Sequence, residues 1–395
     1  MSIQVAKAQK TYNKILDKTR LGLAMDWMSV CVQKTGRHIQ NAQPSVYYHY
    51  YGRYTHPHIR QRMYGKNAPV NWQNFESAQI AHFLQKPEST IKPYLIEPND
   101  HILTIGTMFG TVKPAELIKR IPDILEIIAS KNFKGFLLGP DGLADQFQYY
   151  FGSEYASKLM FYPQGRSIPK VGFNSLELID VNVFKTPVKF ICLAGNYQIK
   201  AVDILIDAWL SIEHLYGATL TIACPDIPEP MLKRLAQIDS IKIIPVAPLN
   251  NKLKAELLNQ AEVSIGLTHT DGGVNLIEGM EYGHAVITNT NHRSEFFVKI
   301  KNGYIINFPN EYYKMGCYGV TYNSVAEYLR LVEKDKKDGK YEGSKQELAK
   351  AIISYIENPT LLRQHFLATL AAIEEQSVCK SNAALLKIYK KSIEY

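Results

Sequence analysis

Short apolar runs alternate with amphipathic runs from residue 188 to residue 307, and this constrains the fold more than any other feature. Residues 188–194, 218–223, 241–246, 263–267, 285–288 and 304–307 have the length and apolar continuity of buried strands. Residues 199–216, 230–237, 252–260 and 274–283 between them have helical spacing. Strands separated by helices in this way cannot pair as hairpins. They predict a parallel sheet of βαβ units. Helices expected near 323–335, 344–357 and 359–375 close the series.

A looser series precedes it. Residues 101–106, 135–138 and 158–162 read as strands, with helices near 113–130 and 143–151. Residues 166–187, with Pro169 and Pro187 and no helical period, read as a linker. Residues 36–72 are rich in Tyr and His and interrupted by Pro44, Pro57 and Pro69; only a strand at 46–51 is assigned there. A chain of 395 residues exceeds one ordinary core, so two α/β domains are expected. Hydrophobic residues make up 46% and charged residues 21%, which excludes a disordered or fibrous chain.

The formal charge of +8 is concentrated at one end. Residues 1–70 carry eleven Lys and Arg against two acids, Asp17 and Asp26, so this segment is +9 and the remainder close to neutral. Residues 4–19 read as an amphipathic helix. Lys7, Lys10, Lys14 and Lys18 share one face, and Val5, Ala8, Tyr12, Ile15 and Leu16 share the other. The apolar stretch 21–32 reads as its continuation, giving a basic helical start over 1–40. Three partners suit the 4–19 helix: the first domain itself, an anionic membrane surface, or a polyanionic acceptor. No RNA- or DNA-binding motif accompanies it, so nucleic acid is not expected.

The five cysteines, Cys31, Cys192, Cys224, Cys317 and Cys379, are odd in number, widely spaced and without a CxxC pair. Reduced thiols in a cytoplasmic protein are therefore expected, without a disulfide framework. The start of the chain lacks the apolar core of a secretory signal, and no apolar run reaches 18 residues. His49, His56 and His58 have no nearby Cys or acid to complete a metal site, and no metal is expected. There is no Walker-type Gly-Lys-Ser/Thr loop, Ser-His-Asp arrangement or GxGxxG fingerprint.

The chemistry concentrates at residues 266–288. This stretch reads as strand, glycine-containing turn, helix, glycine stop and strand. Gly272-Gly273 allow backbone N–H groups to approach an anion closely, and a helix start favours negative charge. Glu278 lies about one helical turn further in. Its carboxylate can accept two hydroxyl hydrogen bonds, as from a ribose.

Leu276-Ile-Glu-Gly-Met-Glu-Tyr-Gly-His-Ala-Val-Ile287 resembles the nucleotide-sugar site of GT-B glycosyltransferases, particularly the large retaining family 4. That family carries Glu-x7-Glu followed by Ala-Met-Ala-x-Gly-x-Pro-Val-Ile. The resemblance assigns Glu278 to the nucleotide ribose, and Gly272, Gly273, Val274 and the adjoining Asn275 to the turn that meets diphosphate and sugar. Ungapped spacing puts Thr270 at the family's first Glu, which grips donor-sugar hydroxyls. A one-residue shortening puts Asp271 there, and a carboxylate keeps the acceptor chemistry.

A second block, residues 190–208, resembles Gly-Arg…Lys-Gly-x-Asp-x-Leu-Ile-x-Ala. Lys200 falls on the diphosphate lysine, in register with Asp203, Leu205, Ile206 and Ala208, while Asn196 stands where the family has Arg. Phe161-Tyr-Pro-Gln-Gly165 and Asn302-Gly303 are smaller echoes.

The resemblance implies two Rossmann-like domains facing across a cleft. Their expected bounds are 1–175 for the acceptor side and 176–375 for the donor side, with a helix at 376–395 returning to the first domain. It implies a UDP- or GDP-linked sugar as donor, a glycan- or lipid-linked acceptor, and no obligatory metal. Gly106 and Thr107, after the strand expected at 101–106, are candidate acceptor-side residues.

Overall fold

A computed structural model describes residues 28–33, 46–51, 80–83, 93–96, 119, 121–138, 151–161, 187–246, 249–269, 274–290, 301–309, 325–375 and 378–394. They form two six-stranded sheets in which each pairing is parallel.

The first sheet contains β1 (Met28–Gln33), β2 (Val46–Tyr51), β3 (Ile80–Phe83), β4 (Tyr94–Ile96), β5 (Phe133–Leu138) and β6 (Leu159–Phe161). Their order is β2-β1-β3-β4-β5-β6, so the winding reverses between β1 and β3. Helix α1 (Ile121–Ala129) buries Ile124 and Ile128 and leads into β5.

Of the stretch 21–32, which reads as helical in the sequence, residues 28–32 lie in β1, and 21–27 lie outside the described residues. Val30 and Val32 are β-branched, and β1 pairs with β2 on one side and β3 on the other. Apolar residues at alternate positions fit both periods in so short a run, and tertiary pairing decides between them. Strand β2 occupies the bounds expected from the sequence. Strands β3 and β4 were not expected: at four and three residues they are too short to show a period. The helix expected at 4–19, the strand at 101–106 and most of the helix at 143–151 lie outside the described residues.

The second sheet contains β7 (Lys189–Leu193), β8 (Thr219–Ala223), β9 (Ile241–Ile244), β10 (Val263–Gly266), β11 (Ala285–Asn289) and β12 (Gly303–Ile306). The order β12-β11-β10-β7-β8-β9 is doubly wound, with the reversal between β7 and β10. The helices are α2 (Val202–Leu210), α3 (Glu229–Leu235), α4 (Asn251–Leu258), α5 (Val274–Met280), α6 (Val325–Lys337), α7 (Glu342–Glu357), α8 (Pro359–Glu375) and α9 (Val378–Glu394).

Strand alternation divides the side chains between two faces. Phe190, Cys192, Leu220, Ile222, Val263, Ile265, Ala285 and Ile287 pack in one core with Val202, Leu205 and Trp209 of α2, Leu235 of α3 and Leu348 and Ile352 of α7. On the other face, Ile191 packs with Leu257 and Leu258 of α4. Val286 there meets Leu276 and Met280 of α5 and Ile373 of α8. Burial of this continuous apolar surface is the main stabilising term.

Helix α2 ends earlier than the expected residue 216. The N–H of Ser211 reaches the carbonyls of Asp207 and Ala208, and its hydroxyl donates to Ala208 O at 2.7 Å, so the terminal carbonyls are already satisfied. Helix α9 lies against β3 of the first sheet.

Candidate functional site

The crossover after β7 runs through α2 on one face of the second sheet, and the segment after β10 enters α5 on the other. Connections that diverge from adjacent parallel strands leave a crevice at the strands' carboxyl ends, the usual ligand site of a doubly wound sheet. Lys200, residues 266–269 and the first turn of α5 follow those strand ends.

Lys200 lies in the turn that follows β7. Its Nζ lies 3.3 Å from Thr268 Oγ1, reaching from the β7 side to the β10 side. The loop it meets is fixed. Thr268 Oγ1 donates to Ile199 O at 3.4 Å, and His269 N–H donates to the same carbonyl at 2.8 Å. Asn289 accepts from Thr268 N–H at 2.8 Å and donates to Thr268 O and Thr290 O at 2.9 and 3.0 Å. The ammonium therefore meets a braced backbone at Thr268. Thr270, Asp271, Gly272 and Gly273 lie outside the described residues.

Asn196 is engaged within its own turn. Its Oδ1 accepts from Ile199 N–H at 2.8 Å, and its Nδ2 donates to Asp226 Oδ2 at 2.7 Å. Asp226 Oδ1 also accepts from Tyr197 N–H at 2.7 Å and from the Cys224 thiol at 3.3 Å. The position that the resemblance matches to an arginine thus holds a neutral amide tied to a carboxylate. Burial pushes the Cys192 and Cys224 thiols up to about 12, so both remain protonated at neutral pH.

Helix α5 starts at Val274. The Asn275 amide donates to Leu193 O at the carboxyl end of β7, which ties the first turn of α5 across the switch point. Glu278, three residues on, shares that stripe. Its Oε1 is 2.6 Å from Lys254 Nζ on α4, and the two side chains are 30% and 27% exposed.

Two glycines set the position of α5. A Cβ on Gly279 would lie 2.1 Å from Ser264 Oγ and 3.1 Å from His284 Nδ1. That close approach leaves room for a buried chain in which Ser264 Oγ meets His284 Nδ1 at 2.8 Å and His284 Nε2 donates to Leu258 O at 2.7 Å. Burial lowers the His284 pKa to about 4, so the ring is neutral. Gly283 has φ +85°, the left-handed C-terminal position that stops α5 before β11.

His269 is buried against Phe308 and Tyr341. Burial, with Lys336 nearby, lowers its pKa to about 3.

Among the residues expected from the sequence, Asn196 and Lys200 lie on the turn after β7, and Asn275 and Glu278 on α5, whose first turn is tied to the end of β7. Thr268, Asn289, Asp226 and Lys254 were not singled out from the sequence. Asp226, an acid just past the end of β8, carried the one visible signal. Gly106 and Thr107 lie outside the described residues. Among the described residues no group of three or more His, Cys, Asp or Glu is placed to hold a metal ion, and no helix is long and apolar enough to cross a membrane.

No protein-family model matches the sequence, and no curated protein matches it. Solved structures do match. A glycosyltransferase from Rickettsia africae ESF-5 covers 94% of this chain and 100% of its own, at 12% identity and TM-score 0.54. WaaG, a glycosyltransferase involved in lipopolysaccharide biosynthesis, covers 91% and 99%, at 13% identity and TM-score 0.52. The fold is GT-B. The pneumococcal O-GlcNAc transferase GtfA, solved with UDP and GlcNAc, matches at 14% identity and TM-score 0.50. That match covers 80% of this chain and 57% of GtfA.

Proposed function

We propose that this chain is a glycosyltransferase of the retaining family 4 type. It would move a sugar from a UDP- or GDP-linked donor to a glycan- or lipid-linked acceptor in cell-envelope polysaccharide or glycolipid synthesis. One observation carries the reading. Lys200 spans the switch point of a doubly wound sheet, and Asn275, three residues before Glu278, is tied to the end of the same strand β7. A cation and backbone amides suit the leaving diphosphate, and a carboxylate suits the ribose. The WaaG and GtfA likenesses, one from lipopolysaccharide synthesis and one with UDP bound, support the same reading.

Lys200 and the amides of Gly272, Gly273 and Val274 would stabilise the diphosphate as the glycosidic bond breaks. Preorganised donors aimed at developing charge are the largest catalytic contribution available here. Thr270 or Asp271 would hold the donor sugar. Gly106 and Thr107 would border the acceptor, and the lysines of residues 4–19 would meet an anionic membrane surface. No side-chain nucleophile is assigned, and no metal is required.

The test is donor hydrolysis and transfer with a panel of UDP- and GDP-sugars, with membrane extract as acceptor and with EDTA present. Turnover of one donor supports the reading. A second reading, nucleotide-sugar binding without catalysis, rests on Asn196, whose amide is held by Asp226 and Ile199. Nucleotide binding without turnover of any donor selects it over the first.

A further inference from the structure

Helix α4 carries two lysines of contrasting use. Lys252 is 89% exposed and pairs within its own helix with Glu256, at 3.9 Å. Lys254 instead leaves the helix and meets Glu278 of α5 at 2.6 Å. Helix α4 needs no such bond to stay in place. Leu257 and Leu258 pack on Ile191. Asn250 caps the first turn by accepting from Leu253 N–H at 2.8 Å. The buried His284 ring donates to Leu258 O. An ion pair as open as Lys254–Glu278 adds little stability. Its geometry has a different consequence, because it settles one oxygen of the carboxylate assigned to the ribose.

We propose that Lys254 is a positioning residue for the donor ribose: it holds Glu278 so that the remaining carboxylate lone pairs face a 2′,3′-diol, and it neutralises Glu278 beside the diphosphate. This rests on the donor-site reading above and extends it to a residue on a different helix. A free glutamate samples several rotamers and repels a nucleoside diphosphate through its negative charge. A glutamate held at Oε1 is oriented and, as a pair, nearly neutral. Lys254 therefore acts through Glu278 and favours ribonucleotides over 2′-deoxyribonucleotides.

The experiment is calorimetric titration of the full chain with UDP, GDP and their 2′-deoxy forms. Wild type is compared with Lys254→Met, Lys254→Gln, Lys254→Arg and Glu278→Gln. Wild type should bind one ribonucleotide at least about tenfold more tightly than its deoxy form, the cost of one charged hydrogen bond. Lys254→Met and Lys254→Gln should each reduce that preference to about twofold or less. Lys254→Arg should restore most of it, and Glu278→Gln should match Lys254→Met. A role confined to holding two helices together would shift the melting temperature without changing the ribose preference.

Retention of the full preference by a folded Lys254→Gln protein overturns the proposal. So does equal wild-type binding of both sugar forms, which would remove Glu278 from the ribose while leaving the diphosphate site intact. Failure of wild type to bind either nucleotide would instead reject the donor-site reading itself.

Discussion

Replacing Gly279 by alanine tests how helix α5 is held over β10. The added methyl would fall 2.1 Å from Ser264 Oγ, 2.9 Å from Ser264 Cβ and 3.1 Å from His284 Nδ1. Relief requires both that α5 lift from the sheet and that the Ser264 hydroxyl swing away from His284. Overpacking costs about 1–3 kcal/mol, and a lost buried hydrogen bond costs about 1–3 kcal/mol. Alanine returns about 1 kcal/mol of helix propensity. The net expectation is a destabilisation of about 3 kcal/mol, within a range of roughly 1–5. Urea unfolding read by far-UV circular dichroism measures it. Removing the hydroxyl as well, in Ser264→Ala/Gly279→Ala, relieves the closest contact. That double variant should be about 1 kcal/mol more stable than the two single effects predict. Gly279→Ala with wild-type stability would refute the close approach of helix and strand.

The buried histidines predict acid sensitivity. His284 is held near 4 and His269 near 3, against 6.5 unfolded, so their contribution is complete above pH 6.5 and is lost as pH falls. From pH 7 to pH 5 each should remove about 2 kcal/mol, because only the unfolded state takes up the proton. A His284→Gln variant should lose correspondingly less over that interval in urea titrations; parallel losses would contradict the assignment. Lys200→Ala should weaken nucleoside diphosphate binding by about 1.5–3 kcal/mol if the contact is charge-assisted, with unchanged affinity rejecting it. Asn289→Ala removes a side chain that braces the Thr268 backbone on both sides. It should cost about 2–3 kcal/mol in stability and raise the proteolysis rate of the loop at 268–273. Deleting residues 1–19 should abolish any binding to anionic liposomes; equal sedimentation would exclude that segment as the membrane contact.

The second sheet was legible because its strands are buried on both faces and its helices are amphipathic. Each of its six strands lies within two residues of the run that signals it. The first sheet was less legible for a physical reason. Strands β3 and β4 are too short to carry a period. Strand β1 adjoins a basic helical pattern, and only its pairing with β2 and β3 distinguishes it. The site divided similarly. Lys200 and Glu278 sit in spaced motifs next to strand ends and helix starts, which a linear pattern can express. The Lys254–Glu278 pair and the Asn289–Thr268 brace join positions 24 and 21 residues apart, and no local pattern encodes them. The Asn196–Asp226 bond joins positions 30 residues apart and is equally invisible to a local pattern.

The proposed donor site puts the diphosphate at the β7/β10 switch point. A crystal structure of the protein soaked with UDP or GDP tests it most directly. Diphosphate density is expected at the carboxyl ends of β7 and β10, within hydrogen-bonding distance of Lys200 Nζ, with the ribose hydroxyls on Glu278. Nucleotide bound elsewhere, or an occupied crevice in which Lys200 and Glu278 touch neither phosphate nor ribose, would contradict it.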